Sequence, residues 1–197
     1  MRRRTSRAAK KNINMAKKYS DSLSRFRELI KKDNKRINTK KRVEERKDLQ
    51  DWFINNCPAH EGPEKAEKFA DYGIRYSHHF SKLKNRIIDT VGLEKNITYR
   101  YCQNGTEMES LIDEIESLYS SRRKPVIFFS RGSYGEMDSL YIRIRNSFAH
   151  ENYFIAGSYY YLWNETGSEG RTQRLGSFMV LKHSDLKSIY DALSKEY

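Results

Sequence analysis

Arg145, Asn146 and His150 lie close together in the chain and carry side chains that can act on a phosphodiester. Metal-free cleavage of RNA needs a base for the 2′-hydroxyl proton, an acid for the leaving 5′-oxygen and a cation for the phosphorane charge. Histidine transfers protons near neutral pH, and arginine binds a phosphate through two parallel N–H groups. On a continuous helix Asn146 and His150 share a face, so Asn146 is placed to orient the imidazole or to donate to a phosphate oxygen.

The spacing alone is weak evidence, because other arginines meet it too. Arg143 also precedes His150, with six residues between them. We interpret Arg143 as a salt-bridged or phosphate-facing surface residue. The structural alternative for Arg145 and His150 is a surface arginine on a helix and a histidine that the helix dipole favours at its carboxyl end.

The hydrophobic pattern predicts mainly helices around these residues. The helix over 136–149 places the three side chains at its end, and the aromatic runs after it favour a β-hairpin. Those aromatics either fill a core or stack on bases, and we favour the core. A Thr106–Glu109 capping box starts another helix, and Ser184 is a candidate cap for the last one. The remaining predicted segments are helices over 5–35, 39–55, 63–92, 106–118 and 185–195, an apolar run over 126–129, and hairpin strands over 153–163 and 174–181.

Basic charge is concentrated in the first quarter of the chain. Residues 1–50 contain 19 Lys and Arg against 6 Asp and Glu, a balance of +13, whereas residues 51–197 contain 19 against 20, a balance of −1. A polyanion held electrostatically is therefore expected at the N-terminus, although a merely solvated basic helix is the alternative. The residues that we expect to bind RNA there are Arg2, Arg3, Arg4, Arg7, Lys10, Lys11, Lys17 and Lys18.

The stretch 145–150, with the helix before it and the hairpin after it, resembles the signature of the HEPN superfamily. The resemblance is specific over 140–154 and architectural over the rest of 60–197. It implies a mainly α, HEPN-like helical bundle with a small C-terminal β-hairpin. We accordingly divide the chain into a basic helical region, 1–58, and a HEPN-like domain, 59–197.

The same resemblance implies a metal-independent endoribonuclease whose two motifs meet in a homodimer. Arg145, Asn146 and His150 would be catalytic, the products would end in a 2′,3′-cyclic phosphate or a 3′-phosphate, and the substrate would be tRNA or mRNA. Many relatives are toxins or antiviral effectors, so an antitoxin or regulatory partner is expected. Two positions depart from the family: Glu151 replaces a common glycine, and Asn152 stands where some relatives have a tyrosine.

Other classes of protein fit the composition less well. No apolar run approaches the roughly 20 residues of a membrane span, and the polar N-terminus contains no secretory apolar segment. Cys57 and Cys102, the only cysteines, have no motif spacing, which favours a reducing cytoplasm. The histidines and cysteines show no metal-ligand spacing, so neither a metal nor a cofactor is expected.

Two further hypotheses remain open. One is a non-catalytic RNA-binding or dimerisation module that retains the HEPN fold and the basic N-terminal helix. The other is a basic nucleic-acid-binding protein without kinship to that superfamily. Mutation of Arg145 and His150 tests the catalytic hypothesis, RNA binding without cleavage by parent and variants indicates the first alternative, and a position of residues 145–150 away from any dimer interface indicates the second.

Overall fold

The chain folds around a five-stranded mixed sheet with helices on both faces. The structure is a computed structural model and describes residues 24, 27–28, 47–58, 67–120, 124–132, 135–156, 158–167 and 174–194. In chain order the elements are α1 (Lys47–Asn55), a 3-10 helix (Phe69–Tyr72), α2 (Ser77–Val91), β1 (Tyr99–Cys102), α3 (Gly105–Ser110), α4 (Ile112–Ser120), β2 (Val126–Ser130), α5 (Glu136–Ala149), β3 (Tyr153–Ala156), β4 (Tyr159–Thr166), β5 (Arg174–Lys182) and α6 (His183–Asp191).

The strand order is β1-β2-β5-β4-β3. β1 and β2 are parallel, with Tyr99 opposite Ile127, and α3 and α4 form the crossover that a parallel pair requires. β5 lies antiparallel between β2 and β4, and β3 pairs only with β4. The segment that contains Arg145 and His150 thus leads directly into an edge strand.

Two apolar cores lie on opposite faces of the sheet. On β2, Ile127 and Phe129 belong to the core beneath α1, α2, α5 and α6, whereas Val126 and Phe128 belong to the core beneath α3 and α4. Phe53 of α1 is fully buried in the first core. The sheet is therefore the middle of three layers.

The expectation of a mainly α bundle with a small hairpin is wrong, because the sheet has five strands and includes a parallel pair. All five residues of β2 are buried, so the strand lacks the alternation of a half-exposed strand and reads as a short apolar run. The predicted hairpin is the antiparallel half of this sheet. Its first predicted strand, 153–163, is in fact β3, a turn and most of β4.

Helix ends also differ from the local predictions. Helix 63–92 is interrupted, since a 3-10 helix ends at Gly73 before α2 begins. The amino-terminal cap of α3 is Asn104, whose side chain accepts from the Glu107 N–H, and not Thr106. The cap of α6 is Lys182 and not Ser184.

The carboxyl end of α2 shows the usual glycine-terminated form. Gly92 lies in the left-handed region with a φ of 74°, its N–H bonds to the Asp89 carbonyl, and the Leu93 N–H bonds to the Ile88 carbonyl. This is the Schellman pattern, in which glycine avoids the steric cost of a Cβ. None of the helices within the described ranges combines the length and apolarity that a membrane span requires.

Candidate active site

Helix α5 carries Arg145 and Asn146 in its last turns and ends at His150. Its bounds agree with the predicted helix over 136–149, and ten of its fourteen residues are buried. The helix packs on β2 and β4 beneath it and on α1 beside it. Between Glu136 and Asn152, only Ala149, His150 and Glu151 are exposed. The candidate chemistry is therefore presented at one end of a buried helix.

The turn after His150 is another Schellman pattern, built without glycine. The Glu151 N–H bonds to the Phe148 carbonyl at 3.1 Å, and the Asn152 N–H bonds to the Ser147 carbonyl at 2.8 Å. Glu151 takes the left-handed position with a φ of 54°. The unusual residue after the histidine is thus strained by its backbone as well as negatively charged.

Arg145 is half-buried and is fixed by two acceptors. Its Nε donates to the Ile54 carbonyl of α1 at 3.1 Å, and its Nη1 donates to Asn146 Oδ1, also at 3.1 Å. A guanidinium has five N–H groups, so three have no hydrogen-bond partner among the described residues. These three donors can bind a phosphate without disturbing the bonds that orient the side chain.

The same guanidinium lies near a buried thiol. Burial raises the pKa of Cys57 to about 12, and the positive charge of Arg145 partly opposes that rise. The Cys57 thiol points to the Tyr141 carbonyl, with the sulfur 3.9 Å from the oxygen. Cys57 is therefore a neutral packing group beside Arg145 rather than a nucleophile at neutral pH.

His150 is exposed, and no side chain within the described ranges hydrogen-bonds its imidazole. Along a helix, Asn146 and His150 are separated by about 40°, whereas Arg145 and His150 are separated by about 140°. The structure therefore brings Arg145 and Asn146 into contact and places His150 on the side of Asn146. The His150 backbone N–H bonds to the Asn146 carbonyl at 3.0 Å, but no side-chain hydrogen bond joins the His150 imidazole to Arg145 or Asn146.

Arg143 lies elsewhere, between α5 and the sheet. It is 8% exposed, and it donates from Nη1 to Asn164 Oδ1 at 2.9 Å and from Nη2 to Ser130 Oγ at 3.2 Å. A Cβ on Gly176 would come within 3.0 Å of Nη1, so the glycine makes room for the guanidinium. Arg143 holds β2 and β4 to α5, so the interpretation of Arg143 as a surface residue is wrong, because its side chain is buried between the helix and the sheet. Its role in binding RNA stays a prediction.

The eight basic residues predicted to bind RNA, at positions 2–18, lie outside the described residues. Arg27 is described, and its Nε donates to Glu165 Oε1 of β4 at 2.8 Å while its Nη2 contacts Glu165 Oε2. Two parallel bonds between a guanidinium and a carboxylate are the strong form of such a pair. Residue 27 of the basic region is therefore held against the sheet.

The contacts of Gln50 were missed from the sequence. This buried side chain of α1 donates from Nε2 to the Tyr160 hydroxyl at 3.2 Å and accepts from the Tyr153 hydroxyl at 3.4 Å. Tyr153 was predicted as an aromatic of the core or one that stacks on bases, with the core favoured, and nothing in the sequence around Gln50 distinguishes it from a surface glutamine.

The described part of the chain brings together no group of three His, Cys, Asp or Glu side chains that could hold a metal ion. Comparisons of the chain with protein-family models, with curated proteins and with solved structures found no match.

Proposed function

We propose that this protein is a metal-independent endoribonuclease in which Arg145, Asn146 and His150 act on RNA. The observation that supports this most is the fixed guanidinium of Arg145, which keeps three N–H donors without a described partner, five residues before the exposed imidazole of His150. In the proposed reaction Arg145 stabilises the phosphorane, His150 transfers protons, and Asn146 orients Arg145 through its amide oxygen. The proposal takes the chemistry of the motif from the HEPN resemblance and not its helical bundle.

The active form that we propose is a homodimer. Acid–base cleavage is easier with two proton-transferring groups, and the motif holds one histidine. Because the exposed residues 149–151 cluster at the end of α5, two protomers that meet there would bring two His150 side chains into one site. RNA, either tRNA or mRNA, would be held by the basic N-terminus, and an antitoxin or regulatory protein would restrain a toxin or phage-defence activity in the cytoplasm.

The decisive experiment measures RNA cleavage in EDTA by the parent and two variants. We expect His150→Ala and Arg145→Ala each to lower the cleavage rate by at least about 100-fold. Arg86→Ala is a matched control for the arginine, because Arg86 donates to the Ala192 carbonyl at the end of α6 much as Arg145 does to Ile54. His78→Ala is the control for the histidine, since it removes another exposed imidazole. Unchanged cleavage by both motif variants would exclude the catalytic role.

A non-catalytic RNA-binding module is the second candidate. It is favoured by the exposed carboxylate of Glu151 beside His150 and by an imidazole that no described side chain orients. In that case the parent and both motif variants bind RNA equally and none of them cuts it. Sedimentation of the parent, with and without RNA, tests the homodimer independently of cleavage.

The basic N-terminus is tested by the salt dependence of RNA affinity. Replacing its eight predicted RNA-binding residues by glutamine should reduce the slope of log affinity against log salt by up to about 6, at roughly 0.7 per single-strand phosphate contact. An unchanged slope would assign the basic residues to another role.

A further inference from the structure

Helix α1 contacts the chain on both sides of His150. The Ile54 carbonyl holds Arg145, five residues before the histidine, and the Gln50 amide oxygen accepts from Tyr153, three residues after it. Gln50 and Ile54 are four residues apart, so about one turn, or roughly 6 Å, of α1 separates the two anchors. A single helical turn thus sets both ends of the segment that carries the proposed chemistry.

The Gln50 amide is the polar link in this arrangement. Gln50 is 7% exposed, and its Nε2 donates to the hydroxyl of the fully buried Tyr160 on β4. Tyr153 lies on β3, so one amide ties α1 to two adjacent strands. Buried amides and hydroxyls that keep their partners fix the relative position of the elements that carry them, because any shift leaves a polar group unsatisfied.

An aromatic cluster around Phe148 connects α1 and the two strands to the turn at His150. The Phe148 ring lies edge-on to Tyr153, with centroids 5.3 Å apart, and edge-on to Tyr160 at 5.8 Å. It also lies 5.9 Å from Phe53 of α1. Phe148 is two residues before His150 and accepts, through its carbonyl, the bond that closes the turn. Movement of α1 or β3 therefore displaces the turn.

We infer that Gln50 is a positioning residue for the Arg145–His150 site, acting through Tyr153 and through the placement of α1. Its amide fixes α1 against β3 and β4, so that the Ile54 carbonyl orients the Arg145 guanidinium at a set distance from His150. The inference rests on the proposed ribonuclease function for its catalytic consequence, but the positioning itself is independent of that function.

The test compares two variants that break the link with one that breaks an unrelated link. Gln50→Met keeps the length of the side chain and removes both hydrogen bonds. Tyr153→Phe removes one hydroxyl from a half-buried ring and is the milder change. Tyr141→Phe is the matched control, because it removes a buried tyrosine hydroxyl that donates to the Ile189 carbonyl on the same face of the sheet. Each variant is followed by thermal unfolding, by the NMR signals of Arg145 Nε–H and His150 Cε1–H, and by kcat and KM for RNA.

We expect Gln50→Met and Tyr153→Phe to shift both NMR signals and to lower kcat about tenfold with KM within twofold of the parent value. Tyr141→Phe should lower the melting temperature comparably and leave the signals and kcat unchanged. If the two link variants only lower the melting temperature, Gln50 is a packing residue and the inference is wrong. If the parent cuts no RNA, the ribonuclease proposal fails, while the two NMR signals still decide whether Gln50 positions the site.

Discussion

Glu151 offers a direct test of how the turn after His150 is built. Three helix ends in the described part of the chain share one hydrogen-bond pattern, and the left-handed position is Gly73, Gly92 and Glu151 in turn. A left-handed residue with a Cβ costs about 1–2 kcal/mol, and glycine in its place loses about 0.5–1 kcal/mol through its greater freedom in the unfolded chain. Glu151→Gly should therefore increase the free energy of unfolding by about 0.5–1 kcal/mol.

Thermal and urea unfolding measure this gain. For a chain of 197 residues, 1 kcal/mol corresponds to about 2–4 °C, so the melting temperature should rise by about 2 °C. Gly92→Ala is the mirror control, because a Cβ at Gly92 would meet no described atom within 4 Å and the substitution tests the backbone alone. It should lose about 1 kcal/mol. If Glu151→Gly leaves stability unchanged while Gly92→Ala lowers it, the carboxylate of Glu151 stabilises the fold by an interaction that the backbone argument omits.

Glu151→Gln distinguishes the effect of the Glu151 charge on RNA binding from the effect of its backbone conformation on stability. That variant keeps the strained backbone, so its stability should equal that of the parent. A carboxylate and a phosphate about 6 Å apart in water repel each other by about 0.7 kcal/mol, so both Glu151→Gln and Glu151→Gly should bind RNA about threefold more tightly at low salt. Equal affinity in the three proteins would place the bound RNA away from His150.

Three further predictions concern buried groups. Burial raises the pKa of the Glu109 carboxyl, whose Oε2 has no hydrogen-bond partner among the described residues. Arg174, whose Nε lies 3.7 Å from Glu109 Oε1, partly opposes that rise. Because a raised pKa costs stability as pH rises through it, the stability of Glu109→Gln relative to the parent should be greater at pH 7 than near pH 4, measured by urea unfolding. Gly176→Ala should lose about 2 kcal/mol, because its Cβ would come within 2.5 Å of Thr166 Cγ2 and 3.0 Å of Arg143 Nη1, and the urea midpoint reports the loss. Burial raises the pKa of Cys57 to about 12 and that of Cys102 to about 11, so iodoacetamide at pH 8 should label both thiols only after unfolding, as mass spectrometry would show.

The sequence was sufficient to predict α5 because the signals there are local. Apolar residues recur at helical intervals from Met137 to Phe148, and Gly135 precedes the first helical residue. The predicted bounds equal the observed ones for that reason. Helix α1 is likewise contained in the predicted helix over 39–55.

The sheet depends on pairings between distant segments, which local patterns do not specify. β1 has four residues, and its pairing with β2 spans the two crossover helices. The aromatic run after α5 is interrupted by Gly157 and Ser158, a turn signal that the prediction of one strand over 153–163 passed over. Antiparallel pairing of β5 with β2 then makes the predicted hairpin part of a larger sheet.

In the candidate site, too, the local sequence predicted some features and long-range contacts set the others. Residue types indicated phosphate chemistry at Arg145 and His150, but the acceptor that orients Arg145 is a backbone carbonyl 91 residues earlier in the chain. Arg143 and Arg145 look equivalent in sequence, yet they are about 160° apart around the helix, and one is buried against the sheet while the other reaches α1. Long-range packing decides which arginine is available to a ligand.

The five-stranded sheet changes what the proposed dimer must look like. Function resides in a site rather than in a fold, so the motif chemistry does not need a helical bundle. It does need access, and in the described structure the sheet and α1 cover most of α5 and leave residues 149–151 exposed. A composite site would therefore bring two α5 ends together, with two Glu151 carboxylates beside the paired histidines. Their mutual repulsion opposes both the dimer and the RNA, so neutralising Glu151 should strengthen both, and dimer affinity and RNA affinity should rise in the same variant.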